Sequence, residues 1–218
     1  MRPARLTWTI GGIGLVLCAV LGMLQYSVIG IGPVVAFDVA TDVVFALAVL
    51  VFTIGWTREA SVVARRPLGV IALAVVALWP FAARIAQPFL PRMDNATFEA
   101  GLAAYRAAEN VLTAVFLVNL LVSLAAALIA VVQIARAGVV PPPWRWAPSW
   151  ALMVSVAAGV LPQMLFASIA SADAQAYVAF ATIIGLIGFL APTLGLGVLA
   201  LVLAARVPER TVEVYRST

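Results

Sequence analysis

Apolar runs long enough to cross a bilayer recur along the chain, separated by short polar, proline-bearing or glycine-bearing breaks. A hydrocarbon core of ~30 Å needs about 20 helical residues at a rise of ~1.5 Å each. Runs of that length cover 8–31, 34–56, 67–86, 110–135, 149–170 and 176–205. No segment reads convincingly as a strand. The pattern predicts an all-α fold: a polytopic integral membrane protein, a bundle of six transmembrane helices in a single membrane domain over 1–218.

The breaks carry their own signals. Gly30-Ile31-Gly32-Pro33 reads as a turn, and Pro67 stands at a helix start. Pro80 falls well inside the third run, where a missing N–H predicts a kink or an end, and Pro162 lies in the fifth. Residues 87–109 form a connector on the outer side, and the loop 57–66 joins the second and third runs. Pro141-Pro142-Pro143 predicts a stiff polyproline segment, followed by Trp144, Trp146 and Trp150 as an interface belt. Ser171–Gln175 is a short turn, and 206–218 is a polar tail. The last run, Ala181, Gly185, Gly188, Pro192 and Gly195 included, exceeds the length needed and is expected to tilt, kink or project. Asn95–Arg136 holds no proline and a single glycine, Gly101. It reads as one helix of roughly 60 Å, charged at its start and apolar from Val111.

Composition supports lipid as the solvent for most of the exterior. Hydrophobic residues are 65% of the 218 and mean hydropathy is +1.13, against ~45–50% apolar in soluble domains. The first run has the basic-then-apolar order of a signal peptide, but it is too long and lacks a small-residue cleavage site. It is read as a retained helix.

Missing residue types exclude chemistry. All 13 basic residues are Arg, a bias most simply explained by codon usage, and there is no His. Without Lys there is no Schiff base to retinal or pyridoxal phosphate. Without His there is no imidazole metal or haem ligand and no Ser-His or Cys-His pair. A single Cys, Cys18, makes no internal disulfide and in an apolar helix acts as a small hydrophobe. No cofactor, no metal site and no enzymatic activity are expected. A net charge of +4 does not point to nucleic acid, because the arginines flank the apolar runs.

Those flanks orient the chain. Arg2, Arg5, Arg58, Arg65, Arg66, Arg136, Arg145, Arg206, Arg210 and Arg216 fall on one side, and Arg84, Arg92 and Arg106 on the other. The positive-inside rule places both termini in the cytoplasm of a cell whose inner or plasma membrane holds the protein.

Polar residues within the runs are the candidate chemistry. Counted at helical rise, Gln25, Asn119 and Gln163 lie roughly 20–25 Å from the inner side. Asp38 and Asp42 share a helix face near the outer end, where Arg84 also falls. The six predict an outward-facing polar pocket for transport or sensing of a small solute. The plainer alternative is amides that join helices and charges that sit among headgroups. Gly14, Cys18 and Gly22 form one helix-packing stripe; Gly159, with Ser155, and Gly185 with Gly188 form others. Such stripes equally suit an accessory or scaffold subunit packed on a membrane-protein partner or a second copy. Beyond the lipid bilayer itself, no partner or small-molecule ligand is named by the sequence. The Asn95-Ala96-Thr97 sequon is short enough to arise by chance.

Overall fold

Proline, glycine and the ends of apolar runs set the helix boundaries. The computed structural model describes residues 3–27, 34–58, 60–99, 101–142, 144–169 and 174–206. The helices are α1 (Pro3–Ser27), α2 (Val34–Ile54), α3 (Pro67–Ala86), α4 (Asn95–Glu99), α5 (Leu102–Ala137), α6 (Ala147–Ile169), α7 (Ala174–Leu190) and α8 (Leu196–Arg206). Short 3-10 turns occupy Gln87–Phe89 and Trp144–Trp146, and a π-helical segment, Ala191–Gly195, joins α7 to α8. No strand occurs among the described residues. Six helical units there are long and apolar enough to cross a membrane, the sixth being α7, the π segment and α8 together. The expected turn at 30–33, residues 171–173 of the expected turn Ser171–Gln175, and the tail beyond Arg206 lie outside the described residues, while Ala174 and Gln175 already belong to α7.

One expectation about helix continuity changes. Asn95–Arg136 is not one helix. Gly101 takes φ 100° and ψ 168°, a conformation open to glycine, and divides α4 from α5. The 36 residues of α5 still extend about 54 Å. Pro80 lies inside α3 and Pro162 inside α6. At Pro192 the helix passes through a π turn and continues as α8.

α1 is the hub. It packs on α2 and on α8; α2 continues to α3, and α3 to α5. α6 pairs with α7 and meets the π segment, while α5 and α6 approach each other only slightly. Close approaches explain much of this order. A Cβ added at Gly12 would lie 3.0 Å from the Gly197 carbonyl oxygen, and one at Gly197 would lie 3.1 Å from the Gly12 oxygen. The first and last described helices therefore touch backbone to backbone. At Gly14 an added Cβ would meet the Ala48 Cβ at 2.9 Å, and at Gly188 the Ala158 Cβ at 2.4 Å. Gly22 makes room for the Phe189 ring. Cys18 is buried, its thiol directed at the Thr41 carbonyl 3.7 Å away. Gly159 and Gly185 meet nothing within 4 Å, so they serve no close approach among the described residues.

The turn after α2 is folded into the bundle. Val62 N–H donates to the Phe52 carbonyl at 3.0 Å, and Ser61 Oγ–H to the Thr53 carbonyl at 2.6 Å. Arg65 donates from Nε to the Ile54 carbonyl and from Nη2 to the Gly55 carbonyl, both at 2.9 Å. The acceptors left open by the end of a helix are thus answered in succession. Trp56 N–H donates to Thr7 Oγ1, tying the turn to α1. Ala60, Ser61 and Val63 are fully buried.

Candidate functional site

The sequence-predicted polar residues do not gather in one space. Four come together at the end of the bundle far from the N-terminus. Gln25 on α1 donates from Nε2 to Asp38 Oδ1 on α2. One turn along α2, Asp42 accepts from Arg84 Nη2 of α3 at 2.5 Å. Both side chains of that ion pair are only partly exposed, 36% for Arg84 and 25% for Asp42. The second carboxylate, Asp38, also acts on the Arg84 charge, so one guanidinium serves two acids. This answers the repulsion that two acids on one turn would otherwise feel. Arg84 Nε is buried without a hydrogen-bond partner.

Asn119 belongs elsewhere. It is exposed on α5 and accepts from Trp79 Nε1 of α3 at 2.5 Å. Gln163 is exposed on α6 and hydrogen-bonds to neither group. These polar residues thus join α1 to α2, α2 to α3 and α3 to α5, as helix-to-helix links.

A partly open space lies toward the opposite, arginine-rich end. It is a cavity of about 310 Å³ walled by parts of nearly every long helix. Trp8, Leu15, Phe45, Phe52 and Leu73 line one side, and Ala130, Ile134, Leu152 and Leu203 the other. Val62, Val140 and Trp144 line it near the connections at that end. Pro192 and Leu196 bring the π segment to its wall. Ser155 is the hydroxyl-bearing residue of the lining, and its Oγ–H is already given to the Gly188 carbonyl at 2.7 Å. None of the six candidate residues borders this space. Trp8 is held by an edge-on contact with Phe52, with ring centroids 6.2 Å apart and planes at 84°.

The cavity exists because its walls combine small and large side chains unevenly. Ala127, Ala130, Ala151 and Ala200 leave room that neighbouring Leu and Phe do not fill. Across the π segment the packing partner changes: α7 runs with α6, whereas α8 runs with α1. No single motif announces such a space, since it is made from residues far apart in the chain.

Arg58 and Arg65, which the sequence places only as topology signals, have structural work. Arg58 Nε donates to the Ala64 carbonyl at 3.3 Å, and Arg65 closes α2. At the other end, Thr97 N–H and Oγ–H both donate to Asp94 Oδ1 at 2.9 Å, starting α4. These bonds hold the exposed Asp94 carboxyl below the usual carboxylate range. Among the described residues, no three His, Cys, Asp or Glu side chains converge as metal ligands would. No protein-family model matches the chain, and no curated protein or solved structure is similar to it.

Proposed function

We propose that this is an integral membrane protein, with both termini cytoplasmic, that holds a small apolar molecule inside the bundle. It acts by binding, without making or breaking bonds in that guest. The observation that carries this reading is the cavity of about 310 Å³ with an almost wholly apolar lining. A space of this kind does not hold water, which needs two to four polar partners. An apolar guest gains dispersion contacts with that lining. Transport or sensing of a solute, the function read from the sequence, is thereby shifted from a polar solute to an apolar one. The polar links at the far end become the frame that keeps α1, α2 and α3 aligned.

The test uses Trp8, which is buried against the cavity wall, in a variant whose other tryptophans are Phe. A short bromoalkane added to the purified protein in detergent is expected to quench Trp8 saturably. Filling the cavity with Ala130→Phe should abolish the saturable part. Linear quenching that ignores Ala130→Phe overturns the reading.

A second reading, a non-catalytic subunit of a larger membrane complex, is favoured by α5, where 11% of the most apolar stretch is buried. A protein that co-purifies from native membranes and covers α5 would support it.

A further inference from the structure

We propose that the guest is an acyl chain of an anionic phospholipid, drawn in sideways between α5 and α6, with its phosphate at Arg136 and Arg145. This rests on the cavity being a ligand site.

The route follows from which walls are closed. Toward the arginine-rich end, the turn after α2 is buried and its hydrogen bonds are satisfied within the bundle. Around the bundle, α1, α2 and α3 are packed in sequence, and α8 is locked to α1 through Gly12 and Gly197. Among the helices that line the cavity, α6 and α8 meet least, but the π segment packs on both of them; the next slightest approach is that of α5 to α6. Their lining residues include the small side chains Ala127, Ala130 and Ala151. A seam flanked by lipid admits a chain that is already dissolved there. A water-borne solute would have to leave water first.

Charge selects the headgroup. Arg136 stands in the last turn of α5, and Arg145 follows the cavity-lining Trp144 just before α6. Both are exposed and flank the seam in sequence at the same end. No Asp or Glu occurs between Glu109 and Asp173, so neither arginine has a carboxylate neighbour along this stretch. Arg145 stacks its guanidinium on Trp146 at 5.5 Å, a contact that leaves N–H donors available. Arg58 and Arg65, in contrast, are tied to backbone carbonyls. Guanidinium forks suit phosphate oxygens, and exposed tryptophans such as Trp146 and Trp150 sit well at the headgroup level.

The experiment reconstitutes the Trp8-only variant in vesicles of phosphatidylcholine or of phosphatidylcholine with phosphatidylglycerol. One lipid at a time carries brominated chains. Brominated phosphatidylglycerol is expected to quench Trp8 more strongly at equal fraction. Arg136→Gln with Arg145→Gln should lower that preference roughly tenfold, and Ala130→Phe should remove quenching by either lipid. Equal quenching by the two lipids overturns the headgroup assignment. If neither lipid quenches while the bromoalkane still does, the chain assignment falls and the cavity reading stands. If neither lipid nor bromoalkane quenches, both fall. In parallel, the wild-type protein released from native membranes is weighed intact. One bound anionic phospholipid per chain, lost in the double Arg variant, supports the proposal; adducts without headgroup preference overturn it.

Discussion

Arg65 donates from Nε to the Ile54 carbonyl at 2.9 Å, so a loop residue completes a helix that ended eleven positions earlier. The same guanidinium reaches the Gly55 carbonyl. Ala64 and Arg65 hold φ of 50° and 55° to make this possible, a conformation that opposes non-glycine residues. Removing the guanidinium leaves two carbonyls unanswered and the backbone still bent. Arg65→Leu is expected to lower unfolding free energy by about 0.5–1.5 kcal/mol, measured by thermal unfolding in detergent. Arg65→Lys, with one compact ammonium in place of a fork, should fall between the two.

The Arg84–Asp42 pair predicts non-additive substitutions. Arg84→Gln strands Asp42 and leaves Asp38 without the charge that balances it. Each single change, Arg84→Gln or Asp42→Asn, should lower the unfolding midpoint. The double variant should recover part of the loss. A double-mutant cycle on unfolding midpoints measures this, and simple additivity would show that the two charges act independently.

Glycines along α6 and α7 should divide into two kinds. Gly188→Ala drives a Cβ to 2.4 Å from that of Ala158 and is expected to cost about 1–3 kcal/mol. Ala158→Gly should restore most of it. Gly159→Ala and Gly185→Ala meet no atom within 4 Å and should be neutral or stabilise by up to about 1 kcal/mol. Thermal shifts of the four variants check the division.

Asp94 gives the α4 end a pH response. Its folded pKa is depressed by the bonds from Thr97, so its stabilisation is fully present above the unfolded aspartate value. It is lost as pH falls through the lower folded value. Hydrogen exchange at the Thr97 and Phe98 amides should therefore speed up in acid beyond the intrinsic trend. Asp94→Asn should show the loosened behaviour at neutral pH, and Thr97→Val should weaken the pH response.

The six apolar spans were readable because lipid exposure demands a long apolar run whatever the neighbours are. Pro192 and Gly195 marked the last run as unsettled, and the π segment falls on them. Other features depend on contacts that no run of residues spells out. Gly101 looked like one glycine in a helix until its backbone turned. Arg65 reads in sequence like any arginine of a topology signal, and its role depends on a turn that brings it back over α2. Asp42 and Arg84 were singled out as polar residues at one depth, and the structure joins them. Asn119 and Gln163 share that depth but face the exterior of the described bundle, because rise along a helix says nothing of azimuth. The cavity was unreadable for a related reason: it is defined by missing volume at Ala127, Ala130, Ala151 and Ala200, and alanine is ordinary in any transmembrane helix.

The Gly12–Gly197 contact also sets an order for assembly. α1 can pair with α2 as soon as both have emerged, since Gly14 needs only Ala48. The adjoining face of α1 fits α8, which is made after every other long helix described. During synthesis that glycine face waits against lipid, and the ring closes when Gly197 arrives. A chain interrupted before α8 would therefore leave α1 with an open seat and the cavity without Leu203 and Ala200 on its wall. Formation of the cavity is then a late event, coupled to the final described helix and not to the first hairpin.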